Sequence, residues 1–149
     1  MSSPAIRNLG PDDSGIMVQL ACTIVSASGI GAPGTVRFCH NLDDPYALWM
    51  AALSSTGANM IGVLGFDLVN DAMSRPGILF GEGSVKTIMN PHALILEVSD
   101  SRKTATIAVI PAHLEPFVAA VRKRAAAALT APEHDNLITR ELDKILEGK

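Results

Sequence analysis

Aromatic side chains are scarce in this chain of 149 residues, at 4%: Phe38, Phe66, Phe80, Phe117, Tyr46 and Trp49. Proteins that hold single-stranded nucleic acid stack bases on aromatic platforms, so this scarcity argues against that role. A dominant charge of one sign is missing too. Twelve basic side chains face 15 acidic ones for a net charge of -3, which argues against a surface built to neutralise phosphates. The two cysteines, Cys22 and Cys39, are too few for a disulfide framework. The simplest compartment for them is the reducing cytosol. No apolar run reaches the ~18 residues that a membrane-spanning helix needs. The opening "MSSPAIRNLGPDDSG" lacks the charged region and apolar stretch of a secretory signal. A cytoplasmic protein is the expectation.

What is present is a core. Hydrophobic residues make up 48% of the chain, and its length suits one domain. Residues 1–15 are small and polar and read as a mobile tail, leaving 16–149 as a single domain. "MVQLACTIV" alternates, with Val18, Leu20, Cys22 and Ile24 on one face, as a half-buried strand does. "SASGIGAPG" reads as punctuation. "TVRFCHN" alternates again and "LDDP" reads as a turn. "YALWMAAL" is apolar on both faces, which predicts a central strand or one covered on both sides, with Trp49 in the core or at an interface. "MIGVL" is a short strand, and Leu68, Val69 and Ala72 have helical spacing. "SVKTIM", "ALILEVS" and "TATIAVI" give three more strands. Over 111–129, Leu114, Phe117, Val118 and Val121 follow the helical i, i+3, i+4, i+7 rule. Pro116 is awkward inside a helix, so a turn near 111–114 and a main helix starting close to Pro116 are expected. A last helix is expected over 136–147, where Ile138, Leu142, Ile145 and Leu146 form a narrow apolar stripe. It is too short to be stable alone and needs a surface to dock on. The sum is an α+β fold: antiparallel sheet of about six to eight strands, packed with a few helices that include two near the C-terminus.

The most conspicuous motif is "RPGILFGEGSVKT", Arg75 to Thr87. Glycine-rich loops cradle phosphates when a strand leads into them and a helix leads out, with glycine directly before the lysine. Here Val85 precedes Lys86, and the expected order is helix, run, strand. The run reads as a structural turn. His40, His92, His113 and His134 show no metal-ligand spacing with a second His or Cys. Cys39 and His40, adjacent on a strand, point to opposite faces. No serine sits in a nucleophile elbow. The basic triplet Arg122-Lys123-Arg124 reads as a solvated helix end. The residues thus indicate a protein-binding domain with no catalytic, cofactor or metal site.

Several segments in order resemble the SsgA-like family of sporulation-specific cell-division proteins, and within it the SsgB branch. Asp44, Pro45, Tyr46 and Ala47 match the Asp-Pro-Tyr-Ala that follows the family's basic-aromatic strand. Asp67 and Leu68 match the start of its Asp-Leu-Leu helix. Arg75, Pro76, Gly81, Gly83 and Val85 match its Arg-Pro and Gly-x-Gly turn. "ALILEVS", the Leu114-Phe117-Val118 helix and the tail "DNLITRELDKILEGK" continue the series over residues 16–147. The chain departs from the family at Gly62, where Trp is usual, and at Phe66, where Arg is usual. The resemblance implies a whirly-like fold assembled as a homotrimer. It implies a non-enzymatic adaptor that recruits FtsZ to the division septum of sporulating actinobacteria. The implied partners are FtsZ and SsgA-like or membrane-associated division proteins. The alternative that the implied fold leaves is a whirly-like single-stranded nucleic-acid binder.

Overall fold

The computed structural model describes residues 4–9, 15–26, 29–55, 57, 59–81, 83–99 and 103–130. The expected 136–147 helix, with Ile138, Leu142, Ile145 and Leu146, lies outside them. The described residues form eight strands and two helices: β1 (Arg7–Leu9), β2 (Gly15–Val25), β3 (Gly31–Asn41), β4 (Asp44–Ser54), β5 (Asn59–Gly65), α1 (Phe66–Ser74), β6 (Val85–Met89), β7 (Leu94–Ser99), β8 (Thr104–Val109) and α2 (Pro111–Thr130). The α+β class and strand number agree with the sequence reading.

All pairings are antiparallel, in the order β5-β4-β3-β2-β8-β7-β6. β2 is the hinge of the sheet. One side pairs with β3 along its whole length, while the other is shared. β1 lies beside its first residues, Arg7 opposite Met17, and β8 beside its last, Cys22 opposite Val109. The chain passes from one edge strand, β5, straight into α1 and then to the other edge strand, β6. Six inter-strand gaps of about 4.8 Å would separate those edges by nearly 30 Å in a flat sheet. A helix of nine residues is only about 13 Å long, yet α1 packs against β4, β5 and β6. The sheet must therefore curl around it.

The inner face of that curl is the core. Val18, Leu20 and Cys22 of β2, Val36 and Phe38 of β3, and Leu94, Leu96 and Val98 of β7 are buried on alternate positions. This is the period-2 pattern of a half-buried sheet. α1 contributes Phe66, Val69 and Ala72, and α2 contributes Leu114, Phe117, Val118 and Val121. Burying side chains of this size stabilises the fold by roughly 1.5–3 kcal/mol each.

Four expectations need correction. Residues 7–9, read as tail, form β1; all three are exposed and held by the backbone ladder, so no apolar pattern marks them. Gly31–Gly34, read as punctuation, belongs to β3. Pro33 is tolerated because it lies at the end of the β3–β4 ladder, where its carbonyl accepts the Ser55 N–H at 2.9 Å. α2 starts at Pro111 and continues through Pro116. Pro116 is exposed, and its ring faces away from the core face that Phe117 and Val118 form. Finally, β4 is the central strand that its apolar run predicts, between β5 and β3, but Trp49 is not in the core: among the described residues Leu48, Met50 and Ala52 are buried, while Trp49 and Leu53 on the other face are exposed.

Candidate functional site

The residues singled out by sequence fall at two places. The first is the junction of α1 and β6. Asp67 is exposed in the first turn of α1, where a negative charge suits the positive end of the helix dipole. Leu68 is half-buried, and its carbonyl accepts the hydroxyl of the buried Thr87 at 2.8 Å. Arg75 closes the helix, its backbone N–H donating to the Asp71 carbonyl at 2.9 Å. Pro76 follows and is exposed. The chain then doubles back along β6. The Gly77 N–H donates to Met89 O at 2.7 Å, and Phe80 and Thr87 exchange N–H···O bonds of 2.8 and 2.9 Å.

Gly81 is the tightest point. Its φ is +98°, a region that side chains resist. A Cβ there would collide with the Val85 carbonyl oxygen and would also crowd Leu68. Gly83 has φ +77° with open space around it, so only its backbone angle is special. Helix precedes the run and strand follows it. That order is the reverse of a phosphate loop, in which a strand leads in and a helix leads out.

The second place is the β3–β4 hairpin. Leu42 and Asp43 make the turn, and the Asp43 N–H donates to Asn41 Oδ1 at 2.9 Å. Asp44, Pro45 and Tyr46 are already the first residues of β4; Asp44 and Tyr46 are exposed. The Pro45 carbonyl accepts from His40 Nε2 at 2.9 Å. A carbonyl only accepts, so Nε2 carries the proton. His40 is fully buried, and its Nδ1 has no hydrogen-bond partner among the described residues. Burial holds its pKa below the ordinary 6.5, and the charge of Arg124 pushes it the same way; the Pro45 carbonyl and Asp44 act against the shift. Arg124 is thus half-buried beside His40, while Arg122 and Lys123 are exposed and Arg122 pairs with Glu115 at 3.3 Å. The triplet is only partly the solvated end that its sequence suggests.

Cys22 lies on the inner face of β2, and burial raises its pKa. Cys39 is half-buried on the outer face of β3 opposite Trp49, and burial raises its pKa against the opposing effect of Arg37. The two thiols therefore face opposite sides of the sheet. Among the described residues no group of three His, Cys, Asp or Glu side chains is placed to hold a metal. No helix among them is long and apolar enough to cross a membrane.

A solved structure of SsgB, reported for its link to longitudinal cell division during sporulation of Streptomyces coelicolor, superposes on this fold. Its TM-score is 0.63 at 18% identity, covering 82% of this chain and 93% of that one. An SsgA-like sporulation-specific cell division protein from Thermobifida fusca superposes with TM-score 0.62 at 18% identity, covering 100% and 99%. The chain has the SsgA-like fold. No family model and no curated protein sequence matches it.

Within the SsgA-like fold, one surface stands out that the motifs did not mark. On the outer face of β4 and β5, Trp49, Leu53, Ile61 and Val63 are 51%, 51%, 75% and 47% exposed. Trp49 lies opposite Val63, and Ala51 opposite Ile61. Shallow grooves lined by Gln19, Thr35, Arg37, Leu53 and Ile61 run beside them. The available signal was the apolar run on both faces of "YALWMAAL". That pattern is the same whether the second face is covered by this chain or left for something else.

Proposed function

We propose that this protein is a non-enzymatic cell-division adaptor that positions or recruits FtsZ at sporulation septa and supports its assembly. The observation that carries the reading is the fold: the chain superposes over 82–100% of its length on two sporulation-associated division proteins. The ordered run of motifs from Asp44 to Gly83 supports it. An adaptor works through surfaces rather than through a reactive cleft, and an uncovered apolar sheet face suits such a partner-binding role. Sedimentation of FtsZ polymers with and without the protein tests the proposal. Co-pelleting and altered assembly are expected; neither co-pelleting nor any change in assembly would sink it. A fluorescent fusion in sporulating cells should collect at septa.

A second reading has one observation in its favour. Trp49 is exposed on the same sheet face as Arg37, and an aromatic ring beside a cation is the unit from which single-strand platforms are built. If that face holds a single strand, a labelled oligonucleotide binds at low salt and is released steeply as salt rises. Absence of binding at low salt disposes of it.

A further inference from the structure

The outer face of β1–β5 is polarised. Residues opposite one another in successive strands form rows across it. One row runs Arg7, Met17, Cys39, Trp49, Val63; the next runs Gln19, Arg37, Ala51, Ile61. Each row therefore has an arginine on the β1–β3 side and an aliphatic residue on β5. Neither row holds an acidic side chain, although the chain has 15 acids against 12 bases. The other half of the sheet balances its charges, with Lys86 of β6 directly opposite Glu97 of β7. A depression joins the two sides of the polarised face. One groove of about 240 Å³ is lined by Arg7, Met17, Gln19 and Arg37 with Pro4 and Ala5. A second, of about 410 Å³, runs on from Gln19 and Arg37 to Leu53 and Ile61. Ala51, between Arg37 and Ile61, is small enough to leave it open. Arg37 is held in place on this face, its guanidinium donating to Gln19 Oε1 at 3.0 Å. A guanidinium has five N–H donors, enough to hold a carboxylate as well.

We infer that this face docks an acidic amphipathic segment of a protein partner, with its carboxylates on Arg7 and Arg37 and its apolar side chains on Trp49, Leu53, Ile61 and Val63. The assignment rests on the adaptor reading and gives the chemistry that the division partner presents to it. Charge complementarity selects the sign. Two cations with no acid among them attract carboxylates and oppose a basic segment. The apolar side selects a protein over a single-stranded nucleic acid. It offers one aromatic ring beside three aliphatic side chains, where a single-strand site stacks successive bases on aromatics, and two cations neutralise few phosphates. Spacing sets the pattern of the segment. Arg37 and Ile61 are two strand spacings apart, about 10 Å. On a helix, residues i and i+7 stand on one face at about that distance. An acidic first turn followed two turns later by leucine or isoleucine meets both sides of the face. Acids in the first turn also suit the dipole of the docking helix.

Trp49 is the only tryptophan, so its fluorescence reports on this face directly. The probe is a synthetic helical peptide with Glu in its first turn and Leu two turns on; its control carries Lys in place of Glu. Added to the full chain, the acidic peptide should move the Trp49 emission to the blue and saturate, more weakly as salt rises. The basic control should leave the emission unchanged. Arg37→Glu and Ile61→Lys, both at exposed positions, should each weaken peptide binding by at least about tenfold. Melting temperature and sedimentation should stay as in the wild type, and co-pelleting with FtsZ should fall in the same two variants. Peptide binding by a wild type that does not co-pellet with FtsZ supports the surface and removes the adaptor reading. FtsZ co-pelleting that both variants retain overturns the surface and leaves the adaptor reading in place. No emission shift at low salt overturns the surface as well. So does an oligonucleotide that shifts Trp49 and is lost in Arg37→Glu, which makes nucleic acid the occupant. A smaller assembly in Ile61→Lys overturns it in favour of a second copy. A red shift of Trp49 on removal of residues 131–149 overturns it in favour of that segment.

Discussion

His40 is buried with its proton on Nε2 and, among the described residues, no partner for Nδ1. The imidazolium form would have to place a second N–H where no described residue accepts it. Its folded pKa lies below 6.5, while the unfolded chain keeps the ordinary value. The unfolded chain therefore binds a proton that the folded one refuses, and stability rises with pH in that range. The contribution is complete above pH 6.5 and is lost progressively as pH falls from there toward the folded pKa. The slope is at most about 1.4 kcal/mol per pH unit for one group. Thermal melts between pH 7.5 and 5 should show this fall. His40→Gln, which does not titrate and can still donate to Pro45, should flatten it. An unchanged slope in the variant would mean that other groups carry the dependence. Gly81 makes a contrasting case. Gly81→Ala forces a Cβ into the Val85 carbonyl at a φ of +98°, and a loss of roughly 1–3 kcal/mol is expected. Gly83→Ala, strained but unobstructed, should lose less; equal melting temperatures for the two variants would refute the steric account. The glycines were legible in the sequence because a turn between helix and strand needs residues that accept positive φ. His40 was not: alternation places it on the inner face but says nothing of which polar group will meet its ring.

Among the elements, the most legible were those with one clean face. β2, β7 and the buried face of α2 carry their apolar residues at strict period two or at i, i+3, i+4, i+7, and the structure buries those residues. β1 and the start of β3 were illegible for the opposite reason. They are held by backbone pairing, and their side chains bury little. α2 shows how tertiary packing overrides a local preference. Pro116 removes one donor within the helix, an interior penalty of about 3 kcal/mol, yet the helix runs through it. Leu114, Phe117 and Val118, all fully buried, anchor the backbone on both sides of the proline and offset the cost. Because Pro116 itself is exposed, Pro116→Ala restores the donor without disturbing the core. The unfolded chain gains freedom worth up to about 1 kcal/mol in return. A net gain in stability is expected, seen as a higher midpoint in urea; a lower midpoint would show that the proline, in place of the core contacts, sets the course of the helix.

At the scale of the molecule, the architecture follows from one short connection. α1 ties β5 to β6 and obliges the sheet to curl, which among the described residues leaves a filled inner face and an open outer one. Strand count and α+β class could be read from periodicity; the curl could not, because it depends on which strands α1 joins. The same limit applies to the stripe Ile138, Leu142, Ile145 and Leu146. Its spacing asks for a helix with one apolar face, and 12 or so residues of isolated helix are marginal in water. Such a segment gains order only by burying the stripe. Burial of three or four aliphatic side chains, each contributing roughly 1.5–3 kcal/mol before the entropy of ordering is subtracted, is enough to matter to a domain of this size. Deleting residues 136–149 should therefore lower the melting temperature, reduce the assembly size, or both. If calorimetry and sedimentation are both unchanged, the stripe docks on neither the body nor a second copy, and it is then available to an external partner. A titration of FtsZ with the truncated and full chains separates these outcomes. Loss of binding alone, at unchanged stability and size, would place the stripe in the division contact itself.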